Sequence, residues 1–592
     1  MNRIEKNRNI KIDILKFIAI FAVLFYHIGL MKYGYLGVDI FLVINGFLIG
    51  KKIYNENEND YKYIGFLIKK LKQFAPLLLL AGVVSLVIGY FFMLPDDYEN
   101  LAESIVATNF FSNNILAGIT TKNYWDILND FKPLMHTWYM GVLFQSYIII
   151  GLVPLISTKI SNKKNKTIQF IIFLVLFFVS LLIYLLPIFD KNIKFYFLPF
   201  RIFEILLGVV LAYKIDYIID RIKKNKIIQV LEPFFLILLL LALFLPSNIS
   251  DVIRLLFTCA ITTLLIIMSI HKDLKRDCIN SIISYFGMIS YSLFIWHQVI
   301  LAFIRYTYSV SFSFIEYLVI IGFILLSSII SYEFIEKKIK KIPNKMLSIL
   351  LIGLCILSTS FSLLIYINSG VVRDVPELEI SKSNIHRHMH SEYNDRAYKY
   401  DKDFDDNGKI KVLVLGNSYG RDWVNILLES DYKDKINISY IYQKDINDDN
   451  YSVEKLNSAD YIFYAISSND FINLPGYLIE SFEKNKVYIV GNKRFGDSNG
   501  IIYSKRFTKH YYDQTVLLDN IYYEKNEELK NKYGVYYIDM ISCVSDDNRR
   551  IRVFTNDNKF ISQDTRHLTK AGATYYSSCI DFNQIFKKNK EG

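Results

Sequence analysis

Charge is scarce in this chain. Of its 592 residues only 21% are Asp, Glu, Lys or Arg, whereas 52% are hydrophobic and 16% aromatic. A soluble enzyme of this length is ordinarily more polar. Cysteine is scarce too: there are five, none at CxxC spacing, which argues against a zinc ribbon. No repeat with a period of about 20–50 residues is visible. The net charge of +11 does not describe a nucleic-acid surface, because the lysines sit in short clusters between apolar runs. The heavy use of Ile, Asn, Lys, Tyr and Phe suggests an AT-rich bacterial source.

What fills the chain instead is long apolar segments. A membrane-spanning helix needs about 20 mostly apolar residues. Runs near 12–31, 36–50, 75–94, 137–157, 168–187, 197–213, 227–245, 253–270, 283–304, 315–334 and 346–367 make about eleven transmembrane candidates. The second is short and carries Asp39 and Asn45, which suits a tilted helix or one packed inside the bundle. One set of connecting loops holds the cations, among them Lys51, Lys52, Lys69, Lys163, Lys164, Lys223, Lys224, Lys337 and Lys338. The other set is poor in them, with Lys32, Lys122, Lys132, Lys191, Lys194 and Arg305 as the main cases. By the positive-inside rule the N-terminus is cytoplasmic. An odd number of spans then puts everything after about Ser369 outside. The first span has the basic start of a signal peptide but no small-x-small site before Lys32, so it is expected to be retained.

Residues 368–410 read as a polar extracytoplasmic linker. From 411 the pattern changes to short β-type runs at 411–418, 438–443, 461–467, 486–492 and 535–540, with helix-like segments such as 421–430 and 514–533 between them. Strands alternating with helices predict a doubly wound parallel sheet, whose sites lie at the carboxyl ends of strands. The domains are thus 1–367, 368–410 and 411–592.

Ionisable groups inside spans are costly and are functional candidates by default. The first span reads Asp13-x-x-Lys16, then ten residues, then His27. Lys16 and His27 would lie about 16 Å apart along a helix, which suits an elongated substrate better than a direct catalytic pair. His27 reads either as a general base or as a histidine packed at the outer interface. Arg201 and Glu204, at i and i+3, form either a structural ion pair or a substrate contact. Asp39, His136 and His297 complete the buried polar set.

The segments IDILKFIAIFAVLFYH (12–27), GYLGVDIFLVINGFLI (34–49), KKLKQFAP (69–76), PLMHTW (133–138), FRIFEILLG (200–208), ISYSLFIWH (289–297) and SYEFIE (331–336) together resemble the membrane acyltransferase-3 family. They occur in family order and cover nearly all of residues 10–340. The resemblance implies transfer of an acyl group, usually acetyl from cytoplasmic acetyl-CoA, to an extracytoplasmic carbohydrate. It implies no bound cofactor. Lys16 and His27 match the family's basic-residue-then-histidine motif, with His27 in the catalytic role. Lys69 and Lys72 match its Arg-x-x-Arg motif at the cytoplasmic face, where cations suit the phosphates of CoA. Lysine here keeps the charge but loses bidentate geometry. Fused members commonly read Trp-Ser-Leu-Ser-Val-Glu-Glu-Gln where this chain has WYMGVLFQ (138–145), so any role of those acids does not transfer.

Three pieces stand out in the C-terminal domain. Gly416-Asn417-Ser418 ends an apolar strand, where a serine sits at a strand-to-helix turn near helix amides. Ser467-Ser468-Asn469-Asp470 follows another strand, and Asp564-Thr565-Arg566-His567 precedes the last helix. Ser, His and Asp are the parts of an acyl-transfer triad. Their order resembles the SGNH hydrolase-fold domain found fused to this membrane family. The resemblance implies Ser418 as nucleophile, Asp564 and His567 as its partners, and Asn469 as the oxyanion-hole Asn. Asn417 stands where Asp is usual, and no glycine between Gly420 and Pro475 matches the family's oxyanion glycine. His386, His388 and His390 alternate in the linker, but the reading adopted is a solvated linker and no metal. Cys543 and Cys579, the only cysteines of the exported domain, are free to pair outside the cytoplasm.

The expectation is therefore a multi-pass protein of the bacterial inner membrane. Its partners are acetyl-CoA, membrane lipid and a cell-envelope glycan such as lipopolysaccharide O-antigen, capsule or peptidoglycan. A membrane-anchored glycan esterase is a second reading; buried His, Arg and Glu argue against a mere anchor. A non-enzymatic glycan or lipid transporter is a third, and no internal symmetry supports it.

Overall fold

The computed structural model describes residues 9–56, 61–120, 129–161, 165–222, 227–244, 249–271, 277–339, 341–383, 389–445, 448–466, 473–484 and 486–587. They fall into two compact units. One is helical and comprises Met1–Phe91, Asp97–Arg305 and Ser311–Tyr366; the other comprises Phe92–Asp96, Tyr306–Val310 and Ile367–Gly592.

Among the described residues of the helical unit, six helices are long and apolar enough to cross a membrane: Tyr63–Phe92, Met135–Ser161, Lys166–Leu185, Asp251–Ile270, Phe314–Ile339 and Lys345–Ile367. A seventh crossing is available if Cys278–Met288 and Ser290–Thr307, bent by 61° at their junction, act as one span. The sequence pattern reads across this junction in one run, 283–304, because the apolar character does not break at the bend. Outward-facing Ile171, Val175, Phe178 and Leu182 are exposed on one helix, and Ile349, Ile352 and Ile356 on another. Apolar bands of this extent need lipid as solvent. Polar groups turn inward and bond one another: Gln169 donates to Ser157 Oγ at 3.0 Å and accepts from Tyr213 Oη at 2.5 Å.

Two shorter helices complete the centre. Ile10–His27 starts at Asn9, whose side chain accepts from the amides of Lys11 and Ile12. It ends at His27, before Gly29 at φ +77°. The apolar run continues to Met31, so the sequence pattern overshoots this end. Gly37–Asn55 packs inside the unit, with Asp39 buried. Its backbone nearly touches Ile202–Ile222: a Cβ on Gly46 would stand 1.9 Å from the Ile205 carbonyl oxygen, and one on Gly208 2.2 Å from that of Val43. Small residues at both positions permit the approach that sets Asp39 beside Arg201.

The second unit is built on a five-stranded, wholly parallel sheet. β1 (Ile410–Gly416) pairs with β2 (Ile436–Tyr442) on one side and β3 (Tyr461–Ala465) on the other; β4 (Val487–Val490) and the short strand Tyr537–Ile538 follow. Alternate residues face opposite cores, as strand periodicity requires. Val412, Val414, Ile438 and Phe463 pack with Trp423, Ile426 and Tyr576 on one face. Leu413, Leu415, Ile462 and Ile489 pack with Leu456, Leu478 and Leu529 on the other. Helices thus cover both faces of the sheet. The stretch before β1, read from sequence as a linker, contributes Ala397 to the first core, and Arg396 pairs with Glu429 at 2.6 Å. His386 and His388 lie outside the described residues. Cys543 and Cys579 form a disulfide.

Candidate functional site

In the helical unit, His27 borders a cavity of about 740 Å³ that His136 and Arg201 also line. Aromatic side chains, including Tyr33, Trp138, Phe195 and Phe294, line it together with charged groups such as Lys32, Lys194 and Asp251. A third imidazole, that of His297, packs against those of His27 and His136. The His27 and His297 rings are 5.2 Å apart, and those of His136 and His297 5.3 Å. His297 Nδ1 lies 3.2 Å from the Leu293 carbonyl, which makes it the protonated nitrogen in the neutral ring. The Arg305 guanidinium donates to the His27 carbonyl and pairs with Asp130 at 3.4 Å. Arg305 therefore takes up an orphan acceptor at the helix end and holds His27 at the cavity.

Arg201 is buried between two acids. It pairs with Asp39 at 2.5 Å and Glu204 at 3.2 Å. The i, i+3 spacing disclosed the Glu204 pairing; Asp39 was legible as a buried acid, but its pairing with Arg201, 162 residues away in sequence, had no local signal. Lys16 lies on the His27 helix, 3.5 Å from Asp13. Of the cations near residue 70, Lys69 is exposed and Lys72 half-buried. Lys70, which the motif passes over, is the inward one, with its ammonium 4.3 Å from the Tyr147 ring centroid.

The α/β unit brings Ser418, His567 and Asp564 together. β1 is the point where strand order reverses, since β2 and β3 flank it, and this is where open parallel sheets form a crevice at their carboxyl edge. Gly416 ends β1 against the Ala465 carbonyl, where a Cβ would stand only 1.9 Å away. Asn417 then caps the helix Ser418–Glu429, its Oδ1 accepting from the Tyr419 amide at 3.0 Å. This cap starts the helix at Ser418, earlier than the sequence pattern placed it.

His567 Nε2 is 3.0 Å from Ser418 Oγ, and His567 Nδ1 is 2.5 Å from Asp564 Oδ2. Asp564 Oδ1 accepts from the amides of Arg566 and His567 at 3.0 and 2.7 Å. The turn between them holds Thr565 at φ +70°, a strained conformation for a β-branched residue. Such a chain of bonds lets the imidazole take the serine proton while the carboxylate fixes its tautomer. Asn469 lies outside the described residues.

Sequence reasoning passed over the charges beside this triad. Asp422, one turn beyond Ser418, is buried and pairs with Lys493 at 2.8 Å. Burial works against its charge, but Lys493, Arg421 and His567 outweigh this and hold the carboxyl below its usual range. Burial also pushes the Lys493 ammonium below its ordinary range, in spite of Asp422. The i, i+4 spacing from Ser418 was the one available signal.

A model of the acyltransferase-3 family, described as an acyltransferase domain, matches residues 9–333, more than half of the chain. The chain belongs to this family, and its long apolar helices make it a multi-pass membrane protein. It is 27% identical over 316 residues to a Staphylococcus aureus (strain COL) protein named "Putative O-acetyltransferase", covering 50% of this chain and 51% of that one. It is 24% identical over 305 residues to the peptidoglycan O-acetyltransferase OatA of Listeria monocytogenes, covering 49% of each. An uncharacterized Haemophilus influenzae protein is 29% identical over 253 residues, which is 40% of this chain and 100% of that one. The chain spans about half the length of the first two relatives. No solved structure matches it.

Proposed function

We propose that the protein is an O-acetyltransferase that carries acetyl from cytoplasmic acetyl-CoA to hydroxyls of a cell-envelope glycan. The observation that carries this reading is the hydrogen-bonded Ser418–His567–Asp564 chain in a protein of the acyltransferase family. In the proposed topology about eleven helices span the inner membrane, the N-terminus is cytoplasmic and the α/β unit is an extracytoplasmic SGNH-like domain. Lys16, Lys69 and Lys72 meet the donor. His27 acts as base in the cavity, with His136, Arg201 and Glu204 shaping it.

At the second site Ser418 Oγ attacks the acyl carbonyl as its proton passes to His567 Nε2. The start of the Ser418–Glu429 helix, with Asn469, steadies the oxyanion. Collapse of the adduct expels the donor group, which takes the proton from His567. A sugar hydroxyl then attacks the acyl-serine as its proton passes to His567 Nε2, and Ser418 Oγ leaves with that proton, which regenerates the free serine. The relatives' names agree with acetyl as the group, and the Listeria protein's name with peptidoglycan as one acceptor.

The test is base-labile acetate on purified envelope glycan from wild type, deletion, His27→Ala and Ser418→Ala strains at matched expression. Acetate should fall in all three altered strains. Loss in His27→Ala alone would remove Ser418 from the route, and a rise on deletion would make the protein an esterase.

A further inference from the structure

The triad loop is gripped from several directions. Asn499 Nδ2 donates to the carbonyls of Ser562 and Gln563 at 2.7 and 2.6 Å. The Phe495 amide donates to the Thr565 carbonyl at 2.9 Å. Asp422 Oδ2 accepts from the Leu568 amide at 3.2 Å, directly after His567. Spaced i, i+4, Asp422 and Ser418 share a face of one helix. One rigid element thus presents the serine and holds the loop that brings the imidazole to it.

Lys493 closes the ring. It follows β4, with its Nζ 2.8 Å from Asp422 Oδ2 and 3.8 Å from the centroid of the Tyr419 ring. The Tyr419 hydroxyl donates to the Lys493 carbonyl at 3.2 Å, and the Tyr419 ring lies 6.3 Å from that of His567. Asp422 and Lys493 are 1% and 2% exposed at the side chain. A pair this deep brings little stability, because removing both charges from water offsets their attraction. Its place beside the triad imidazole gives it another use.

We propose that Asp422 and Lys493 are positioning residues that hold His567 against Ser418 and balance the charge around its ring. This rests on the acyl-serine reading above. Among the described residues, the charged and titratable groups about the triad include Asp564 on the His567 loop, Asp422, Arg421 and Tyr419 on the Ser418 helix, and Lys493 after β4. Asp96, whose carboxylate accepts from the Gln563 amide, acts on Asp564. Removing the Asp422 charge leaves the cations in excess and disfavours imidazolium; removing Lys493 does the reverse.

The experiment uses the full chain in detergent with p-nitrophenyl acetate, following turnover and the mass of acylated Ser418. Asp422→Asn and Lys493→Met should each lower kcat by about 10- to 100-fold with KM changed less than about twofold, as for a misplaced catalytic group. The acid limb of the pH profile should move down in Asp422→Asn and up in Lys493→Met. Lys493→Arg should restore it, and the neutral pair Asp422→Asn/Lys493→Gln should bring it back towards wild type if a single variant fails to fold. Wild-type rates in the variants, or lost activity with an unmoved acid limb, would overturn the proposal. A wild-type protein not acylated at Ser418 would instead sink the acyl-serine reading beneath it.

Discussion

His567 and His27 face candidate acyl-transfer sites, and the two units hold them by different means. His567 is oriented through its ring, by a carboxylate at 2.5 Å from Nδ1 and a serine at 3.0 Å from Nε2. His27 is fixed through its backbone, by a helix that stops at it and by Arg305 on its carbonyl. Its ring faces Tyr26 and His297, each with centroids at 5.2 Å, and an open cavity. A ring held by a carboxylate is prepared before substrate arrives. A ring with no side-chain hydrogen bond among the described residues is oriented largely by its packing and by what fills the cavity. The difference teaches that the two histidines should fail differently when changed.

The largest effect expected is at Ser418. Ser418→Ala should abolish the acyl-enzyme and lower ester turnover by about 10³-fold or more. Intact-protein mass after exposure to p-nitrophenyl acetate reads this directly. Acylation surviving in the variant would break the comparison, by showing that another nucleophile serves the α/β unit.

Next is His27→Gln, which keeps a polar side chain at the helix end. Glycan acetylation should fall by about 10²- to 10⁴-fold, the range of a lost general base. Acylation of Ser418 by the small ester should stay near wild type, since that reagent bypasses the helical unit. If both rates fall together, the two sites are not separable steps and the comparison must be redrawn.

Arg201→Met tests the helical unit as a scaffold. It leaves the buried carboxyl groups of Asp39 and Glu204 without their cation, a loss of about 3–5 kcal/mol for a buried partner. Thermal unfolding in detergent should show the helical unit weakened while Ser418 still reacts with the ester. An unchanged transition would mean that Arg201 is held for substrate and not for structure.

What the sequence disclosed follows the same division. Each of the first four sheet strands lay within a few residues of an apolar β-type run, because strands buried on both faces are continuously apolar. Ser418, Asp564 and His567 could be named together because each sits at a strand or helix end with a recognisable neighbour. Asp422 could not, since SYGRDWVNILLE reads as an amphipathic helix whose charges face water, whereas Arg421 and Asp422 are both buried. Arg305 read as a loop cation because its acceptor is a backbone carbonyl 278 residues away, which carries no side-chain signature. Helix ends were blurred wherever an apolar run outlasts the helix, as it does past His27. Asp39 and Arg201 meet only because Gly46 and Gly208 let two helices close, a contact that hydropathy does not encode.

The α/β unit has a covalent brace of its own. Cys543–Cys579 closes a loop with a sequence separation of 36, worth about 3–4 kcal/mol in the chain-entropy picture. Cys543→Ser/Cys579→Ser should lower the unfolding temperature of this unit and leave that of the helical unit unchanged. Non-reducing gel mobility of the purified chain gives the first check. A fully reduced wild-type protein would contradict an oxidising, extracytoplasmic location for the domain.

The smallest effect concerns Asn417, the cap of the Ser418–Glu429 helix. Its Oδ1 accepts from the Tyr419 amide at 3.0 Å and so begins the helix that carries Ser418. Aspartate caps about as well as asparagine, whereas alanine costs about 1 kcal/mol. Asn417→Asp should therefore keep the stability of the α/β unit, and its added charge near the helix start is favourable to the dipole. Asn417→Ala should lower stability by about 1 kcal/mol and loosen Ser418, raising KM for the ester less than it lowers kcat. The pair separates two roles that the geometry combines. If Asp is as damaging as Ala, the neutral amide is required beside the serine and capping is secondary. If Ala is harmless, the close packing of Gly416 against the Ala465 carbonyl alone sets the turn, and the serine of the α/β unit is held as His27 is, by its backbone.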